Sequence, residues 1–367
     1  MTKVLISSRF FYPSLGGSET NAEILAREFV NLGQEVKVIT RTLGSDVAAD
    51  DSKFPFEVIR RPGVAKHLSL VRWCDAYLHN GISLRDAWPL LAFRRPWIVR
   101  HQGQHLYAPS SASLYRRVKC FIKRQAIDSA TSISVSKAIA EGLNRPSHVI
   151  LNPYRDNLFR LVNRTSRRNR LVYLGRLVSD KGVKMLIESF ADLSRRQLAP
   201  RLTIIGSGPE EPFLRRQAVE LGVGEKVSFV GPKVGEELVK ILNEHQIMIV
   251  PSLWDEPFGV VALEGIACGC VIVGSQGGGL SEAIGPCGLT FPSGDRQALT
   301  EALADLLANP GKLSAYREKA DSHLQVHKQR TVAEAYLRVI KKTTMRSGNN
   351  SAAEGHQRKE SNFYLHD

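Results

Sequence analysis

Two carboxylates set around the start of an apolar helix pattern are the residues best placed to do chemistry. Glu256 lies in the loop Ser252-Leu253-Trp254-Asp255-Glu256-Pro257, after the short apolar run Gln246–Val250 that reads as a buried parallel strand. A helix is predicted from Phe258 to about Ala267, with Pro257 at its entry and Cys268-Gly269 closing it. Glu264 falls on that helix more than one turn in, where an ionised carboxylate is costly unless it is hydrogen-bonded. Backbone N–H groups at the helix start, Phe258, Gly259 and Val260, suit a phosphate. The flanking carboxylates suit the hydroxyls of a neutral polyol such as ribose or hexose. This is a sugar-nucleotide site in outline. Taken alone, the two glutamates read equally well as a surface loop acid and a solvated helix position.

Arg176 and Lys181 flank a short loop, Gly175 to Gly182, between a predicted strand and a helix. There two cations and helix N–H groups can converge on a diphosphate. A lone Arg-x4-Lys pair is otherwise an ordinary pair of surface cations. Gly16 and Gly17 let backbone approach a ligand closely, just before a helix predicted to be capped by Ser18. A Gly-Gly loop by itself is most often only a turn. His101 ends a predicted strand in Arg100-His101-Gln102-Gly103-Gln104-His105, a place where an isolated histidine is more often structural than catalytic.

The segment Glu256-Pro257-Phe258-Gly259 through Glu264 resembles the E-x7-E signature of retaining glycosyltransferases of family 4 (glycosyl transferases group 1), which adopt the GT-B fold. The resemblance implies that Glu256 contacts the transferred sugar and Glu264 the ribose hydroxyls. Gly175-Arg176-Leu177 with Lys181-Gly182 is similar to the family's diphosphate-holding G-R-L…K-G element. Gly16-Gly17 is similar to its N-terminal glycine loop, which approaches donor phosphate and acceptor. A histidine lining the reaction centre would be His101, with His105 the weaker choice. Gly206-Ser207-Gly208-Pro209 resembles the G-x-G-P loop beside the donor, and Gly277 to Glu282 the G-G-x-x-E loop. Ile133 to Ile139 resembles its strand-then-helix V-S segment. Asn152-Pro153-Tyr154-Arg155 departs from the usual N-G-V-D.

These residues need a scaffold that brings strand ends together. A chain of 367 residues suits two domains. Strand patterns alternate with helical ones in both halves, which implies doubly wound parallel sheets. The expected boundaries are 1–164 for an acceptor-side Rossmann-like domain, 165–345 for a nucleotide-sugar domain and 346–367 for a disordered tail. The polar, basic run 161–170 serves as linker. Two such α/β domains with a cleft between them are the GT-B plan, and the cleft is the expected site.

The net charge of +14 is uneven. Residues 1–164 hold 24 Lys/Arg against 13 Asp/Glu, whereas residues 165–345 hold 23 against 20. An acidic partner is therefore expected for the first half. Leu114 to Ile127 interleaves apolar positions with five cations, read either as a packed helix with a solvated basic face or as a contact with an anionic membrane. No apolar run reaches the roughly 18–20 residues of a membrane span. The opening Met1–Ile6 runs straight into a strand pattern, so no secretory leader is expected. Five cysteines without C-x-x-C spacing fit a reducing cytoplasm, with the inner membrane face as a further possibility.

The implied reaction is retaining transfer of a hexose from a nucleotide diphosphate sugar to a glycan or polyprenyl-diphosphate-linked acceptor, in surface polysaccharide or glycolipid synthesis. No D-x-D pair is present and Asp50-Asp51 is a poor metal site, so no cofactor or metal is expected. Arg176, Lys181 and the helix start would meet the charge on the leaving phosphate. No nucleophile for a covalent intermediate is evident, and the family's front-face return is adopted by resemblance. A sugar-nucleotide 2-epimerase of the same fold is the competing enzyme. A basic nucleic-acid-binding protein lacks support from any stacking, helix-turn-helix or zinc pattern, and no nucleic-acid partner is expected.

Overall fold

The computed structural model describes residues 1–14, 16–43, 50–103, 113–162, 169–198 and 201–361. The chain folds as two compact units, one made of Met1–Ile150 and the segment from Gln329 onward, the other of Leu151–Lys328.

The first unit begins with β1 Lys3–Ser8, α1 Gly17–Asn31, β2 Glu35–Thr40 and β3 Glu57–Arg60. It continues through α2 Val64–Trp73, β4 Ala76–Asn80, α3 Leu84–Ala87 and β5 Trp97–His101. Then come α4 Leu114–Ala126, β6 Thr131–Ser134, α5 Lys137–Gly142 and β7 His148–Val149. Its seven strands lie in the order β3-β2-β1-β4-β5-β6-β7, with every pairing parallel. The run Val4-Leu5-Ile6 is buried on both faces, as a covered parallel sheet requires. Val4 and Ile6 pack with α1 residues Ala22 and Phe29, while Leu5 and Tyr77 pack with Leu70 and Val71 of α2.

The second unit runs β8 Asn169–Leu174, α6 Val183–Arg195, β9 Leu202–Ile205, α7 Glu211–Glu220, β10 Val227–Phe229 and α8 Gly235–Asn243. Next are β11 His245–Val250, α9 Val260–Ala267, β12 Val271–Ser275, α10 Leu280–Ile284 and β13 Gly288–Phe291. Three helices follow, α11 Arg296–Ala308, α12 Pro310–Arg317 and α13 Ala320–Gln325. The six strands lie in the order β10-β9-β8-β11-β12-β13, again all parallel. In this sheet the order steps outward one way from β8 through β9 and the other way through β11, so β8 and β11 meet where the winding reverses. Such a switch point opens a crevice at the strands' carboxyl ends.

Three boundary expectations are corrected. The last helix, α14 Gln329–Ser361, belongs to the first unit rather than to the domain 165–345. Val332, Ala333, Tyr336 and Ile340 pack with Ala22 and Phe29 of α1 in one apolar cluster. The amphipathic pattern announced the helix, but not which sheet it would cover. The division also falls at Ile150 rather than at 164. Asn243 explains this locally: its Oδ1 accepts from Val162 N–H at 2.8 Å and its Nδ2 donates to the Arg160 carbonyl at 3.0 Å. Finally, α14 keeps a helical backbone through Ser361, where composition argued for disorder from 346. Extending a helix already nucleated by packing demands little of the added residues.

Candidate functional site

Four loops leave the carboxyl ends of β8, β9, β11 and β12 in the second unit, and they hold one another by backbone bonds. Leu177 N–H donates to the Ser207 carbonyl at 2.9 Å, Leu253 N–H to Asp180 at 2.8 Å, and Gly279 N–H to Glu256 at 2.7 Å. Two of these approaches require glycine. Gly206 has φ of +137°, and a Cβ there would sit 1.9 Å from the Gly175 carbonyl oxygen. Gly278 has φ of +56°, and its Cβ would sit 2.0 Å from the Glu256 carbonyl oxygen. Side chains are excluded at both positions by left-handed backbone and by contact.

On that frame the β8 and β11 loops bring Lys181 and Glu256 together. Lys181 Nζ lies 2.5 Å from Glu256 Oε1, with both side chains mostly buried. Ser252 Oγ donates to the same oxygen at 2.7 Å. The Lys181 ammonium also lies 4.9 Å from the centroid of the exposed Trp254 ring. Arg176 projects into solvent from the same β8 loop. A carboxylate and an ammonium are thereby paired, with the guanidinium of Arg176 carried by the same β8 loop, and these are the charges an anionic, hydroxyl-rich ligand would need. Among the described residues, no group of three or more His, Cys, Asp or Glu is placed to hold a metal ion.

The predicted helix start is corrected by two residues. Phe258 is buried, its ring 5.6 Å from that of His327, and lies outside the helix. Gly259 takes φ of +94° as N-cap, and α9 begins at Val260 with no side-chain cap. The burial of Phe258 sets the turn, so Gly259 and Val260 carry the helix start while Phe258 anchors it. Glu264 faces partly outward on α9. Burial nevertheless pushes its carboxyl up to about 7, against the opposing pull of Arg155. The two glutamates therefore differ in kind: Glu256 is ion-paired, whereas burial raises the Glu264 carboxyl toward neutral pH.

Gly16, Gly17 and His101 belong to the first unit. Gly16 is the N-cap of α1 with no side-chain cap, which corrects the expected Ser18 cap. Ser18 instead helps seat Asn80, whose Nδ2 donates to the Ser18 carbonyl at 3.1 Å and to Ser8 Oγ at 2.9 Å. A Cβ on Gly16 would meet the Glu19 carboxylate, whereas Gly17 faces open space. The His101 ring is buried, with Nε2 3.1 Å from Ser132 Oγ, and burial with help from Arg145 lowers its pKa to about 4. That is the setting of a neutral core histidine. Strand pleating explains it, since successive side chains alternate faces. The next residue, Gln102, bonds Asn80 Oδ1, which also accepts from buried Arg100 at 2.6 Å. His105 lies outside the described residues. Sequence reasoning did not name Asn80, and it quoted Gln102, Ser252 and Trp254 without giving them a role. Their polar or aromatic character beside a strand end was the available signal.

Residues 155–323, nearly the whole second unit, match the family model described as Glycosyl transferases group 1. The second unit belongs to that family. Its curated relatives include the D-inositol 3-phosphate glycosyltransferase of Saccharomonospora viridis, 33% identical over 182 residues, which are 47% of this chain and 42% of the relative. The GDP-mannose-dependent alpha-(1-6)-phosphatidylinositol monomannoside mannosyltransferase of Mycolicibacterium smegmatis is 37% identical over 153 residues, 40% of each chain. The matched stretches thus span less than half of these group 1 relatives. Over the longer range the fold is GT-B. Anabaena Alr3699/HepE, solved in complex with UDP-glucose, superposes with TM-score 0.76 at 19% identity, covering 93% of this chain and all of that one (100%). Sucrose-phosphate synthase from Thermosynechococcus elongatus gives 0.72 at 20%, covering 93% and 99%.

Proposed function

We propose that the chain is a retaining glycosyltransferase that moves a hexose from a nucleotide diphosphate sugar to a glycan or lipid-linked acceptor. The observation that carries this reading is the Lys181–Glu256 pair at the switch point of the second sheet, beside exposed Arg176 and the uncapped start of α9. The names of the group 1 relatives support it, and so does the UDP-glucose bound in a protein of the same fold. Synthesis of a surface polysaccharide or glycolipid is the setting these acceptor classes imply.

In the proposed reaction the bond from the anomeric carbon to the β-phosphate oxygen breaks, and its electron pair stays on phosphate. Arg176, Lys181 and the Gly259–Val260 N–H groups stabilise that charge without a divalent ion. The acceptor hydroxyl attacks the same face and passes its proton to the departing phosphate oxygen, so configuration is kept. Both bonds seen at Glu256 converge on Oε1, which leaves Oε2 to accept from a sugar hydroxyl. Glu264 accepts from the ribose. Gly206 allows the β9 loop to pass close to the donor. Gly16 and Gly17 present backbone to a ligand of the first unit at the start of α1.

A thermal-shift screen of UDP-, GDP- and ADP-sugars, followed by product analysis with EDTA present, tests the reading. One donor should raise Tm, and adding acceptor should give an α-configured product from an α-donor. A stabilising donor that is only epimerised, or no stabilisation by any of them, would overturn it.

A further inference from the structure

The helix α4 is mounted inside out. Its sequence, LYRRVKCFIKRQA, has five cations and no acid. Apolar residues at 114, 118, 121 and 122 share one face by helical spacing. A helix packed on a protein turns such a face inward. Here Leu114 is 74% exposed, Phe121 59% and Ile122 48%, and none of the residues of α4 is buried. The residues that lean on the unit are the half-buried Cys120, Lys123 and Ala126. Lys123 feels that burial together with the charges of Lys119 and Arg9, which lower its pKa. Arg9 in turn lies 5.0 Å over the ring of Phe10, itself 49% exposed. The reading of α4 as a packed helix with a solvated basic face is therefore reversed.

We infer that α4, with Arg9 and Phe10 beside it, seats the first unit on an anionic lipid surface, its apolar stripe entering the headgroup boundary and its cations meeting lipid phosphates. Charge selects this occupant. The stripe is flanked by Arg116, Arg117, Lys119 and Arg124 with no acid on the helix, so a second copy of the same face would be repelled. An anionic bilayer offers both halves of the match, apolar depth and negative charge. The inference does not depend on the proposed transfer reaction.

Flotation of the full chain with phosphatidylcholine vesicles, with and without phosphatidylglycerol, tests it. The wild type should float with the anionic vesicles and scarcely with the neutral ones. Leu114→Ser/Phe121→Ser/Ile122→Ser should lower partitioning by about tenfold or more. Arg116→Gln/Arg117→Gln/Lys119→Gln should lower it by about fivefold per cation and erase the lipid preference. As a second readout, Phe121→Trp should add fluorescence that brominated lipid quenches. The inference is overturned if the wild type stays unbound, if both triple variants float like the wild type, or if brominated lipid leaves the added indole emission untouched. It is equally overturned if the wild type dimerises without lipid and the serine variant does not.

Discussion

The Tyr173 hydroxyl donates to the Arg176 carbonyl at 2.8 Å from a ring that is almost wholly buried in the second unit. Burial, with the neighbouring Glu256 and Asp180 charges, pushes the phenol well above its usual range, so it stays a donor. The bond ties the core of the unit to the loop that presents Arg176. Gly175 is part of the same fit, since a Cβ there would meet the hydroxyl at 2.6 Å. Tyr173→Phe should lower stability by about 1 kcal/mol and raise donor KM more than it lowers kcat. Urea unfolding and steady-state kinetics check both, and an unchanged KM would remove Tyr173 as a positioning residue.

Lys181 and Glu256 are expected to act as one unit. Lys181→Ala and Glu256→Ala should each lower kcat/KM by about 10²–10⁴. The double variant should be scarcely worse than the poorer single one, because each loss already breaks the pair. Fully additive losses in a double-mutant cycle would show that the two side chains work apart.

The pH dependence of Glu264 has a definite sign. Its folded pKa is raised to about 7 by burial. From the ordinary carboxylate range up to about 7 the folded chain therefore holds a proton that the unfolded chain has released. Stability falls as pH rises through that window. Glu264→Gln should remove this slope in thermal melts. Ribose hydroxyls donate to the ionised carboxylate, so donor affinity should rise with pH through about 7 in the wild type and stay flat in Glu264→Gln. Calorimetric titration across that range decides the matter.

Gly206 should tolerate no side chain. Gly206→Ala combines a disfavoured φ with a Cβ placed 1.9 Å from the Gly175 oxygen. A loss of about 3 kcal/mol or more in the second unit is expected. Chemical denaturation checks it, and a midpoint equal to wild type would mean that the β8 and β9 loops part freely.

His101 and Gln102 separate two readings of one strand end. His101→Ala should lower Tm by leaving Ser132 without its partner, at a cost of about 1–3 kcal/mol, and should leave the kcat of folded protein within a fewfold. Gln102→Ala should change activity more than stability. A hundredfold fall in kcat for His101→Ala at unchanged Tm would return the histidine to the reaction centre.

The alternation of strand and helix patterns and the combination of Arg176, Lys181, Glu256 and Glu264 were legible in the order of residues. Both depend on local periodicity and short spacing, which the chain carries in itself. Helix α4 was equally legible as an amphipathic segment. Its orientation was not, because a helix has the same wheel whether its apolar side faces in or out. The same limit applies to α14, whose stripe could have closed either sheet, and to His101, which ends β5 as expected but whose ring is buried against Ser132 of the neighbouring strand β6. The pairing of Lys181 with Glu256 depends on β8 and β11 becoming neighbours at 75 residues' separation. Residue types and periods thus determined the elements and the chemistry available. Tertiary packing alone decided which groups meet, because strand order and burial arise from contacts between segments that no local pattern encodes.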